Sequence, residues 1–187
     1  MQKDREKWNT KYKNIDYKRS VADPLQRFSF LWESLEPKPG HNLRALDLAC
    51  GTGQNSLHLA EKGFHVDAMD ISDVALNLFS HPNITKFKVD FDTHRILENQ
   101  YDLILDFYFL ERRLFPNMVS SLKPGGILMI ETFLETREAP SNPDHKLKSQ
   151  ELLGAFNSLR ILYYYETEEK ATLIAKNTYQ TTQEISS

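Results

Sequence analysis

The sequence predicts an α/β fold: a doubly wound, mostly parallel sheet with helices on both faces. Three observations predict it. Ala45 to Ala49 is a short apolar run that breaks into a turn at Gly51 and Gly53, after which Asn55 to Ala60 resumes with helical spacing, giving strand, tight turn, helix. Phe64 to Asp70 then reads as a second strand closing on an acid, the order of a βαβ unit. Further apolar strands follow at Thr85–Asp90, Tyr101–Phe107 and Ile127–Phe133, while Leu159–Thr167 and Lys170–Lys176 alternate like two paired strands across a short turn.

The glycine turn has a chemical meaning. Gly51 and Gly53 lack a Cβ, so backbone there passes close to a ligand and takes positive φ cheaply. The following helix aims its unpaired N–H groups at the same point. A dinucleotide-binding turn wants a third glycine, and Ser56 stands in its place. Asp70, at the end of the second strand, is positioned to accept hydrogen bonds from both hydroxyls of a ribose. The predicted ligand is an adenosine-type nucleoside.

Composition narrows the class. A chain of 187 residues is read as one domain, 1–187, with a helical cap over 1–40 and the α/β core over 41–187. The net charge is −3, from 23 basic and 26 acidic residues scattered along the chain, which leaves no electrostatic footprint for nucleic acid. Cys50 is the single cysteine, so no internal disulfide and no zinc site is expected, and a reducing cytoplasm fits. The charged start, Met1 to Lys7, is not that of a signal peptide, and no run approaches the ~18 apolar residues of a membrane helix.

Asp47-Leu48-Ala49-Cys50-Gly51-Thr52-Gly53 resembles the first motif of the class I S-adenosylmethionine-dependent methyltransferases, with Ala49 in place of its first glycine. Asp70 matches the ribose-binding acid of that family, and Lys123-Pro124-Gly125-Gly126 matches the turn before its fifth strand. The opening Lys7-Trp8-Asn9-Thr10-Lys11-Tyr12 is similar to the branch with tellurite-resistance and thiopurine methyltransferases. The resemblance implies a Rossmann-like core of seven strands with the antiparallel hairpin at one edge. It also implies S-adenosylmethionine as cofactor, held by Asp47, Ala49, Gly51, Gly53 and Asp70, with Ile71 against the adenine ring and Asp90, followed by Phe91, at its amino group.

Taken in order, residues 4 to 35 read as two helices. Trp8 and Tyr12 share a helix face; by the resemblance they fold over the cofactor mouth, and by packing alone they pin the helix to the body. Asp23-Pro24 is a start signal, with Asp23 as N-cap of a helix carrying Leu25, Phe28, Leu31, Trp32 and Leu35 as a core stripe. Pro37 to Gly40 leads into the first strand. Ser72 caps a helix reaching Phe79, with Asp73 in its first turn.

If the first strand sits beside the fourth, Asp106 and Phe107 at the end of the fourth strand and Tyr108 just past it line the crevice where strand order reverses, with Asp106 on the cofactor. Without the proline pair of base-amine methyltransferases, the segment Asp106 to Leu110 suits a small molecule in an aromatic pocket. Glu111 opens a helix to about Leu122, and Arg112 is the better placed of two arginines to hold an anionic substrate, unless it bridges to surface acids. Leu134 to Lys148 reads as a loop long enough for a lid, in which His145 titrates near neutrality and serves either as a base or as a solvated side chain. Ser149 caps a helix reaching Phe156.

The candidate catalytic residues are therefore Tyr108, Arg112 and His145, with no metal. Because no His/Asp or Cys/His pair is legible, an intrinsically nucleophilic acceptor is expected, a thiol or a chalcogen oxyanion. Cys50 is read as a packing residue. A monomer or weak homodimer is expected, acting on a small molecule. Two other classes stay open: a non-catalytic or regulatory S-adenosylmethionine-binding protein, and an NAD(P)-dependent reductase.

Overall fold

The computed structural model describes residues 2–13, 20–37, 42–135 and 145–179. In chain order these form α1 (Gln2–Lys13), α2 (Asp23–Arg27), α3 (Ser29–Trp32), β1 (Arg44–Leu48), α4 (Gln54–Glu61), β2 (His65–Asp70), α5 (Asp73–Leu76), β3 (Ile84–Lys88), β4 (Tyr101–Phe107), α6 (Phe115–Ser121), β5 (Leu122–Phe133), α7 (Glu151–Ala155), β6 (Arg160–Glu166) and β7 (Lys170–Lys176).

The seven strands make one sheet in the order β3-β2-β1-β4-β5-β7-β6. The first five pair in parallel, whereas β7 runs antiparallel to both β5 and β6. The strand order reverses between β1 and β4, so the ligand crevice of such a sheet opens beyond the carboxyl ends of these two strands.

Alternation along the strands builds two cores. Leu46, Leu48, Ile104, Leu128 and Ile130 face α6 and α7, where Met118, Leu152 and Phe156 cover them. Ala45, Leu103, Leu105, Phe107 and Met129 face the other way, against Leu25, Trp32 and Leu59 of α2, α3 and α4. The central strands are buried on both faces and read as nearly continuous apolar runs.

Several local expectations are corrected. The stripe Leu25–Leu35 is not one helix: the chain breaks at Phe28 (φ −106°, ψ 27°). There the Phe28 ring packs 4.5 Å from Tyr163, while the Trp32 indole spans the break by donating to the Leu25 carbonyl at 2.9 Å. Ala22, not Asp23, is the N-cap of α2, and its N–H donates to Asn55 Oδ1 at 2.9 Å. Ser72 does cap α5, accepting from the Ala75 N–H at 3.1 Å, but the helix stops at Leu76 rather than Phe79. Lys86 Nζ takes the carbonyls of Leu76 and Phe79 at 2.9 and 3.0 Å and so satisfies the terminus early. Ser149 does not cap α7: Gln150 does so in left-handed conformation (φ 64°), and the Ser149 hydroxyl donates to Glu166 at 2.8 Å. Residues 38–41 before β1 and 136–144 of the expected loop lie outside the described residues.

Candidate active site

The strand–turn–helix from β1 to α4 forms the floor. Ala49, Gly51 and Gly53 all have positive φ (50°, 55° and 72°), which lets the chain double back tightly enough for the Gly53 N–H to reach the Cys50 carbonyl at 3.0 Å. The place of the missing third glycine has a use: the buried Ser56 hydroxyl donates to Asp47 Oδ2 at 2.6 Å, giving a fully buried carboxyl a partner. Burial raises the Asp47 carboxyl to about 7, with the Ser56 bond opposing the rise and the Asp70 charge adding to it. Cys50 packs against the cluster of Ala68, Leu76 and Phe79, and burial, reinforced by Asp47 and Asp70, pushes its thiol well above the ordinary range. It is a poor nucleophile there.

Two hollows adjoin this turn. The smaller, about 40 Å³, is bordered by Asp47, Ala49, Gly51, Asn55, Phe107 and Tyr108. The larger, about 440 Å³, is walled by Ala49, Asp70, Ile71, Asp90 and Phe91 on one side, by Trp8 and Tyr12 of α1 above, and by Tyr108, Phe109, Phe133 and His145 opposite. Ala49, Phe107 and Tyr108 belong to both walls.

Asp70 is 5 % exposed and doubly fixed: Oδ2 accepts the Gly51 N–H and Oδ1 the Ser72 N–H, each at 2.8 Å. Bonds from the glycine turn and from the start of α5 thus set the plane of this carboxylate. Asp90 closes a local turn by accepting the Asp92 N–H at 3.0 Å, and the Phe91 ring packs 5.0 Å from Phe109.

The helix α1 is the roof. Trp8 stacks on Tyr12 with ring centroids 5.9 Å apart, and Lys11 Nζ lies 4.5 Å from the Trp8 ring centroid. Tyr12 is 5 % exposed, with its hydroxyl packed over Gly51. Asn9 attaches the helix: its amide donates to Asp73 at 2.8 Å and accepts from the Ser72 hydroxyl at 2.6 Å. Sequence reasoning passed over Asn9, because its partners come from another helix.

Opposite, Tyr108 takes positive φ (64°) and donates its hydroxyl to Glu131 Oε1 at 2.8 Å. Glu131 also accepts from Thr172 at 2.7 Å and Lys170 at 3.3 Å. Glu131 and Lys170 were not singled out as a pair in the sequence; only the pairing of β5 with β7 joins them.

Arg112 is absent from both walls. Its guanidinium grips Glu151 at 2.5 and 2.9 Å and the Lys146 carbonyl at 2.8 Å, holding the Glu151 carboxyl below its usual range and the segment after His145 against the body. Arg113 is likewise engaged, by Glu111 and Asp92. Gly53 borders neither hollow and instead makes room for Phe79, whose ring lies 2.5 Å from where a Cβ would stand. Asp106 is fully buried on the Ile104 face of β4, and neither oxygen has a hydrogen-bond partner among the described residues. Burial, with Asp47 adding to it, holds the Asp106 carboxyl far above the carboxylate range. Among the described residues no helix is long and apolar enough to cross a membrane.

Comparison with known proteins agrees with this geometry. The methyltransferase YqeM of Bacillus subtilis is 29% identical over 142 residues, 68% of this chain and 56% of its own length. The S-adenosyl-L-methionine-dependent methyltransferase TehB of Haemophilus influenzae is 30% identical over 110 residues, 52% of this chain and 38% of its own. The crystal structure of TehB from that organism superposes with a TM-score of 0.73 at 21% identity, covering 86% of this chain and 63% of that one. A ubiquinone biosynthesis O-methyltransferase of Rickettsia bellii is 33% identical over 111 residues, 52% of this chain and 45% of its own. The chain thus spans about half the length of the curated relatives it matches. Residues 13–178 match the methyltransferase domain family, a span from the last residue of α1 to beyond the end of β7, and the chain belongs to that family.

Proposed function

We propose that this chain transfers the methyl group of S-adenosylmethionine to a small-molecule acceptor, as a cytoplasmic monomer or weak homodimer that engages neither nucleic acid nor membrane. The observation that carries the reading is Asp70, which lines the 440 Å³ hollow with its carboxylate plane fixed by the N–H groups of Gly51 and Ser72. A carboxylate has about four acceptor sites, and a ribose presents two neighbouring hydroxyls to them. The residues around it fit the rest of the cofactor: Ile71 and Phe91 offer apolar faces to a purine and Asp90 an acceptor for its amino group, while the glycine turn and Asp47 border a hollow suited to the methionyl end.

When bound, S-adenosylmethionine supplies an electrophilic methyl group on a positively charged sulfur. The residues of the chain have chiefly to align donor and acceptor and to exclude water. Trp8 and Tyr12 roof the hollow, and Tyr108, Phe109 and Phe133 give the opposite side an aromatic lining. Arg112 and Arg113 are both occupied by carboxylates, so neither supplies the expected hold on an anionic substrate, and on the wall of the hollow the Lys7 ammonium is outnumbered by the carboxyl groups of Asp4, Asp70, Asp90, Asp92 and Glu111. That favours a thiol over a chalcogen oxyanion.

The test is to incubate the purified protein with S-adenosylmethionine and a panel of thiols, phenols, amines and oxyanions and to follow S-adenosylhomocysteine. Product with a small thiol, phenol or amine is expected. Product only with RNA or protein substrates contradicts the proposal.

A further inference from the structure

Three strands bring together, at the carboxyl edge of the sheet, side chains that are far apart in sequence: Tyr108 just past β4, Glu131 on β5, and Lys170 and Thr172 on β7. Glu131 is 8 % exposed and collects three donors, the Tyr108 hydroxyl at 2.8 Å, the Thr172 hydroxyl at 2.7 Å and the Lys170 ammonium at 3.3 Å. A carboxylate only accepts, so the phenol proton points at Glu131. Burial, together with the bond to Glu131, raises the Tyr108 hydroxyl above its ordinary range, so it stands as a neutral phenol.

The same two residues are tied through the backbone. The Tyr108 N–H donates to the Glu131 carbonyl at 2.7 Å and holds Tyr108 in its left-handed conformation. Its ring is set between Phe133, 5.7 Å away, and the Lys170 ammonium, 5.1 Å from the ring centroid. Strain at a non-glycine residue with such support is a mark of a functional position. Tyr108 is also in the wall of both hollows, between the smaller one suited to the methionyl end and the larger one that Asp70 lines.

We infer that Tyr108 and Glu131 form a proton relay, and that the acceptor is a neutral small molecule carrying a removable proton on the attacked atom: a hydroxyl, an amine or a thiol. The inference rests on the cofactor reading above. As the acceptor's lone pair forms the new bond to the methyl carbon, the electron pair of the broken carbon–sulfur bond stays on sulfur. The acceptor's proton passes to Tyr108 Oη, and the phenol proton passes to Glu131. Attack makes the acceptor's proton strongly acidic, so a carboxylate suffices as its final destination. Tyr108 is the catalytic residue; Glu131 acts through it, with Lys170 and Thr172 orienting the carboxylate. The charged and titratable groups facing the pair are Lys170 from β7 and, on the wall of the same hollow, Asp4, Lys7, Asp70, Asp90, Asp92, Glu111 and His145.

The test uses the full chain with S-adenosylmethionine and four probes. Catechol, 2-phenylethylamine and 2-mercaptoethanol have a proton to lose; iodide has none. The relay predicts turnover of at least one proton-bearing probe and not of iodide. It predicts a loss of about 100-fold or more in kcat for Glu131→Gln and for Tyr108→Phe, with the double variant no worse than either. Glu131→Gln also loses the acid limb of the kcat–pH profile and keeps its affinity for S-adenosylmethionine. Independently of turnover, ultraviolet titration, with Tyr108→Phe as the difference reference, finds the Tyr108 phenol ionising at lower pH in Glu131→Gln. Turnover of iodide alone, a wild-type kcat and pH profile in Glu131→Gln, or a Tyr108 titration indifferent to Glu131 overturns the relay. Calorimetry without S-adenosylmethionine binding overturns the cofactor reading instead, so the two failures are distinguishable.

Discussion

The Tyr12 hydroxyl lies 2.7 Å from where a Cβ on Gly51 would stand, so the roof of the hollow and its glycine floor are fitted to each other. Gly51 also has φ 55°, a conformation that costs an L side chain free energy. Gly51→Ala is expected to lower stability by about 1–3 kcal/mol through strain and displacement of Tyr12. Adding Tyr12→Phe recovers the part due to the hydroxyl, and a double-mutant cycle by urea unfolding reads that coupling.

Asn9 holds the roof from its outer side, through Asp73 and Ser72. Asn9→Ala removes both bonds and loosens the attachment of α1. Trp32 is 1 % exposed, so solvent-quenched emission reports on Trp8. The variant is expected to show a red-shifted, more readily quenched emission than the wild type.

Asp106 predicts an unusual pH dependence. Its carboxyl is raised in the folded chain, so the native state is favoured where the group is protonated. That contribution is whole below about pH 4, the unfolded value, and is lost as pH rises through the folded value. Asp47, raised to about 7, acts with the same sign. Asp106→Asn should therefore flatten the stability curve between pH 4 and 7 by up to about 1.4 kcal/mol per pH unit, read by urea unfolding at several pH values.

Arg112→Ala is expected to leave global stability within about 1 kcal/mol, since its pairing with Glu151 is partly exposed. Its effect is local. Hydrogen exchange should quicken over Lys146 to Glu151, where Arg112 holds the Lys146 carbonyl and Glu151 receives the Lys148 N–H.

The floor of this hollow was legible in the sequence because it is local. Asp47, Ala49, Gly51, Asp70 and Ile71 are set by one strand–turn–helix and the strand after it, and they stand together around the two hollows. The seven strands themselves were legible as apolar or alternating runs, whereas the antiparallel edge of β7 and β6 was implied by the family resemblance and the strand order is set by the pairing. Tyr108 was legible as a candidate, but its pairing with Glu131 was not. Glu131 reaches Tyr108 only through the β4–β5 register that pairs it with Phe107, and reaches Thr172 only through the β5–β7 register. Lacking those registers, the sequence pointed to an acceptor needing no base. Arg112 shows the same limit: adjacent guanidinium groups read as anion binders until Glu151 is placed beside one of them. Phe28 ends α2 because Tyr163, from the far end of the chain, packs against it.

The central claim is that Asp70 anchors the sugar of S-adenosylmethionine. Isothermal titration of that molecule into wild type and Asp70→Ala tests it most directly, with thermal unfolding to verify that the variant is folded. The account predicts one site per chain in the wild type and an affinity weaker by about 1–3 kcal/mol in the variant. No binding to the wild type, or equal affinity in the folded variant, contradicts it.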